Sequence, residues 1–115
     1  MDLVIHQLNT KLFENQNLSS GDTSAVVEIN KFSLYSVQLS WTGLSGTIVI
    51  YTEGTNDLDN EPTRVFTAID TYTLSGSSGS RLINVEKAAY AAFRIRYTSV
   101  GGAGTMKCVV NAKVL

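Results

Sequence analysis

Apolar and polar residues alternate over three long stretches of this chain. In 35–41, Tyr35, Val37, Leu39 and Trp41 alternate with Ser36, Gln38 and Ser40. In 91–97, Phe93, Ile95 and Tyr97 alternate with Ala92, Arg94 and Arg96. In 106–114, Met106, Cys108, Val110, Ala112 and Val114 alternate with Lys107, Val109, Asn111 and Lys113. A period of two with one apolar face predicts antiparallel strands buried on one side. It makes Tyr35, Val37, Leu39, Trp41, Phe93, Ile95, Tyr97, Cys108 and Val110 the expected core. Less regular strands are expected at 25–29, 47–53, 64–69, 71–74 and 81–85, with turns at 43–46, 53–62, 75–80 and 99–104. The best helical candidate, 84–92, is too short for more than a turn after Asn84.

Two segments resemble each other. Val37-Gln-Leu39-Ser-Trp41-Thr42 leads through a glycine turn to Gly46-Thr47-Ile48, and Phe93-Arg-Ile95-Arg-Tyr97-Thr98 leads through another to Gly104-Thr105-Met106. Each pattern predicts a β-hairpin. Residues 1–20 stand apart: Leu3 and Ile5 alternate as in a strand, while Ile5, Leu8 and Leu12 fit a helical turn. This stretch is read as a first strand with its connector, or as an arm docking on a neighbouring subunit through Leu3, Ile5 and Leu8. Residues 21–115 form the domain proper. The expected architecture is all-β: an antiparallel two-sheet β-sandwich, jelly-roll-like, of about eight or nine short strands.

Composition narrows the function. A chain of 115 residues makes one domain, and 43% hydrophobic against 17% charged residues excludes intrinsic disorder. A net charge of -1 gives no basic excess for a phosphate backbone, so nucleic acid is not an expected partner. Cys108 is the single cysteine, which excludes an internal disulfide and a cysteine-based metal site. One such thiol suits a reducing cytoplasm. The start Met1-Asp2-Leu3-Val4-Ile5-His6 lacks the basic and apolar regions of a signal peptide, and no apolar run is long enough to span a membrane.

Candidate chemistry is sparse. His6 is the one histidine and lies near the start, where no pre-positioned base is expected. Asp57, Asp59 and Glu61 alternate beside Asn56 and Asn60, oxygen ligands of the kind calcium takes, but without EF-hand spacing; a solvated turn explains the same residues. No other cofactor is expected. Tyr51 and Tyr72 fall outside the clear apolar rows and are candidates for a glycan-stacking surface. Arg94 and Arg96 alternate outward on one strand, where they either keep a sheet face soluble or pair with a neighbour's carboxylates.

The run Ser36-Val-Gln-Leu-Ser-Trp41-Thr-Gly43, continuing through Gly46-Thr-Ile to Asn56-Asp57, resembles small β-sandwich structural proteins of tailed bacteriophages. So does Tyr90-Ala-Ala-Phe93-Arg-Ile-Arg-Tyr97-Thr with its Gly104-Thr turn and the closing Asn111-Ala-Lys113. The resemblance spans about residues 25–114. It departs at Arg64-Val65-Phe66, where such relatives carry a tryptophan, and residues 1–24 have no counterpart in it. It implies a non-enzymatic virion component of head-decoration, neck, tail or fibre-associated type, made in the host cytoplasm and bound to other virion proteins. Such parts assemble symmetrically, so a homo-oligomer, a trimer above all, is expected. The alternatives are a lectin-like module serving host adsorption and, behind it, a small enzyme.

Overall fold

The computed structural model describes residues 7–28, 34–57, 64–85 and 91–113, and within them the protein is all-β. Seven strands follow in order: β1 (Gln7–Asn17), β2 (Asp22–Thr23), β3 (Val27–Glu28), β4 (Leu34–Thr55), β5 (Thr67–Thr73), β6 (Gly79–Val85) and β7 (Ala92–Lys113). All join one antiparallel sheet, where the pattern predicts two. Its spine is the β4–β7 pair, which runs from Leu34↔Lys113 to Thr55↔Ala92 with register shifts between Thr42 and Thr47. β6 pairs with Tyr35–Trp41 of β4 and β5 with Val49–Gly54. β1 pairs with Thr105–Lys113 of β7, while β2 and β3 pair with its opening residues.

The structure departs from the sequence pattern in two ways. In place of eight or nine short strands, the described residues form seven, two of them 22 residues long. The two expected hairpins do not exist: Trp41 pairs with Met106 and Ile50 with Tyr97, so each glycine turn lies inside one continuous strand and the two strands pair with each other. The glycines act as corners instead. Gly43, Gly46, Gly101 and Gly104 all have positive φ, which an L side chain adopts only with strain. At Gly46 a Cβ would also run into the Gly101 carbonyl. The inward phase changes at both corners, from Tyr35–Trp41 to Ile48 and Ile50 in β4, and from Phe93–Tyr97 to Met106–Ala112 in β7.

The corners fold the ribbon back on itself. A straight 22-residue strand would run about 73 Å at ~3.3 Å per residue, yet the longest dimension of the protein is 49 Å. Tyr35 and Phe93 sit near opposite ends of the β4–β7 pairing, but their rings stack with centroids 4.4 Å apart. Phe13 meets Tyr97 edge to face at 5.5 Å in the same way. The concave side is therefore the core, lined by every residue of the predicted set, all at 7% exposure or less. Two units face each other across it. The Trp41 half comprises β1, β6, Leu34–Thr42 and Thr105–Lys113. The Glu53 half comprises β2, β3, β5, Thr47–Thr55 and Ala92–Val100.

The N-terminal stretch divides. Residues 7–17 are β1 of the chain's own sheet, with Phe13 buried and Leu8 half-buried against the core. Leu3 and Ile5 lie outside the described residues. The helical candidate opens inside β6 at Asn84 and Val85, and most of the rest of it is likewise undescribed.

Candidate interaction surface

The convex face of the Glu53 half holds the most organised side chains outside the core. Alternation turns Ile48, Ile50 and Thr52 inward, so Val49, Tyr51 and Glu53 point away from the core. Across the ladder Tyr51 pairs with Arg96 and Glu53 with Arg94. A bulge in β5 falls at this place: Thr52 pairs with Asp70 but Glu53 with Ala68, which leaves Ile69 extra.

Glu53 is only 5% exposed and takes both arginines: Arg94 Nε donates to Oε1 at 2.9 Å and Arg96 Nε to Oε2 at 3.0 Å. The Arg94 and Arg96 side chains are 30% and 35% exposed. Each also covers an aromatic ring, Arg94 that of Phe66 at 4.2 Å and Arg96 that of Tyr51 at 4.1 Å. Arg64 flanks them, forking onto Glu28 at 2.6 and 3.0 Å. Hydrogen bonding from Arg64 holds the Glu28 carboxyl below its ordinary value, against a smaller opposing effect of burial.

Arg94 and Arg96 thus meet a carboxylate of their own chain, 41 and 43 residues away. The sequence marks Arg64 and Phe66 only as a departure from the resemblance, and Glu28 and Glu53 not as partners of Arg94 and Arg96, because nothing local links any of them to β7. The available signal was the alternation of Tyr51 and Glu53 against Ile50 and Thr52. Tyr72 lies apart under Arg81, whose guanidinium stands 4.1 Å above its ring. Burial and then Asp70 raise its phenol pKa.

The acidic stretch is only partly visible. Asp57 is exposed and its carboxylate accepts the Val65 amide at 3.2 Å; Asp59 and Glu61, like His6, lie outside the described residues. No group of three His, Cys, Asp or Glu side chains suited to a metal occurs among the described residues. Surface recesses of about 350, 460 and 330 Å³ carry one ionisable side chain each: Lys107, Asp57 and Arg81. Cys108 is fully buried, and burial pushes its thiol up to about 12. No helix among the described residues is long and apolar enough to cross a membrane.

No family model and no curated protein matches the chain. Solved structures do share its fold. The SPBc2 prophage-derived protein YomS aligns over 97% of this chain and 98% of its own, at 13% identity and a TM-score of 0.59. A Bacillus endospore appendage protein, of a family that forms disulfide-linked pili, aligns over 100% and 99%, at 14% identity and a TM-score of 0.57. At such identities the likeness is one of fold.

Proposed function

We propose that this chain is a non-enzymatic structural or assembly protein of a bacteriophage virion, of head-decoration, neck, tail or fibre-associated type. It works as a homo-oligomer, trimeric by preference, and contacts other virion proteins. Its folded-over sheet serves as a two-layer, jelly-roll-like sandwich, and it needs no cofactor.

The observation that carries this reading is the state of the sheet edges. β1, β5 and β6 each have a partner on one side only among the described residues. β1 is broken by register shifts on either side of Phe13 and carries Lys11 and Glu14, devices that discourage edge pairing. β5 has one bulge, one charge at Asp70 and no proline, and its run Asp70–Thr73 is regular. An edge of that kind invites pairing with another chain. The likeness in fold to a prophage-derived protein and to a pilus subunit supports the setting. Cys108 offers no surface thiol, so assembly here proceeds without the disulfide links of those pili.

The three recesses described above, with one ionisable side chain each, bring no acid and base together, which favours a non-enzymatic reading. The glycan-binding alternative asks for open aromatic faces, whereas Tyr51 and Tyr72 lie beneath Arg96 and Arg81. Sedimentation of the purified chain tests the proposal: a trimer is expected, and a monomer at the highest attainable concentration overturns it. Removing residues 1–6 alone, which spares β1, should weaken assembly if they form an arm.

A further inference from the structure

We propose that the convex face of the Glu53 half is a docking strip for an extended acidic segment of a partner protein, one with carboxylates at alternate residues. The proposal does not depend on self-association.

Glu53 leaves part of each arginine open. Each guanidinium gives its Nε–H to Glu53, and neither arginine makes a further hydrogen bond, so both Nη groups of each remain available. That outer edge of a guanidinium is a fork that fits the two oxygens of a carboxylate. Holding both side chains between a buried carboxylate and aromatic rings removes much of the rotamer freedom that binding would otherwise cost.

Charge and spacing then select the occupant. Arg94 and Arg96 stand against one shared carboxylate, Glu53, which leaves one positive charge in surplus along the strip. Arg94 and Arg96 are two residues apart on one strand, so their backbone positions repeat at about 6.7 Å, and their guanidinium groups lie over different rings, Phe66 and Tyr51. An extended chain presents its alternate side chains at the same interval and on the same side. Adjacent acidic residues would point to opposite sides and engage one fork.

Two labelled peptides of one composition test this by fluorescence anisotropy with the full chain at low salt: Ser-Glu-Thr-Glu-Thr-Glu-Ser, and Ser-Glu-Glu-Thr-Thr-Glu-Ser, which has no two carboxylates at alternate residues. The first should bind about fivefold tighter, in line with a second charge-assisted fork. Replacing both arginines by lysine keeps the charge opposite Glu53 but removes the forks, and should weaken binding about tenfold. Thr23→Glu, at an exposed position paired with Arg96, tests the strip without touching Glu53 and should also weaken binding. Amide NMR shifts on peptide addition should fall in 49–53 and 94–98. Equal affinity for the two peptides, absence of saturable binding, or shifts elsewhere overturn the proposal. So does displacement of the peptide by inorganic phosphate at comparable concentration, which marks a general anion patch. A chain that binds the peptide but sediments as a monomer upholds the strip and rejects the oligomer.

Discussion

The Trp41 half and the Glu53 half are built alike and finished differently. Each is a four-strand width: β1, β7, β4 and β6 in one, and β2 with β3, β7, β4 and β5 in the other. Each sends apolar rows inward and meets the other through an aromatic pair. Their outer faces diverge. The Trp41 half shows Ser36, Gln38, Ser40, Lys107 and Asn111 on its central strands, small or flexible groups that water serves well. The Glu53 half sets a buried carboxylate beneath two stacked arginines. The same alternation fixes both interiors, but among the described residues it is the Glu53 exterior whose charged side chains are held in a fixed array.

The largest test breaks the likeness of the interiors. Phe93→Ala or Tyr35→Ala removes one ring of the stack between the halves and should cost about 3–5 kcal/mol. Denaturant unfolding should remain a single transition, and two separated transitions would show that the halves fold independently. The corners come next. Gly46→Ala combines positive φ with the clash on the Gly101 carbonyl and should cost about 3 kcal/mol. Gly101→Ala has positive φ but open space and should cost about 1 kcal/mol in the same titration.

A smaller effect should separate the exteriors. Glu53→Gln weakens two charge-assisted hydrogen bonds and, with both arginines partly solvated, should cost about 1–2 kcal/mol. Lys11→Ala, which breaks the exposed Lys11–Glu14 pair of the other half, should stay within about 0.5 kcal/mol. The smallest effect is acid sensitivity. The depressed Glu28 pKa means its contribution is complete above the ordinary carboxyl value of 4.5 and fades as pH falls through the lower folded value. Glu28→Gln should flatten the stability profile slightly in that acid window, and an unchanged profile would remove Glu28 from the comparison.

The interior was legible because burial on one face of a strand leaves a period-two record. Tyr35, Val37, Leu39, Trp41, Phe93, Ile95 and Tyr97 could be assigned from that record alone. The partner of each strand could not. A Gly-Thr step after an aromatic-Thr end fits a hairpin turn and a corner equally, since both need residues tolerant of positive φ. Only the pairing of Trp41 with Met106 decides between them. The site was half visible for the same reason. Arg94 and Arg96 showed as outward residues, but Glu53 reaches them through a long-range register and a bulge at Ile69, neither of which leaves a local mark.

The pairing of β4 with β7 also sets when this chain can fold. Even the nearest rung of that ladder, Thr55 to Ala92, closes a long loop, and Leu34 to Lys113 closes one about twice as long. Loop closure must precede the gain from contact, so such a topology belongs among the slow folders, on a scale of about milliseconds to seconds. During synthesis, β1, β2 and β3 emerge early with nothing to pair with until β7 arrives. For that interval the nascent chain exposes unpaired strand, a state in which a chaperone or a sister chain would find it open to capture.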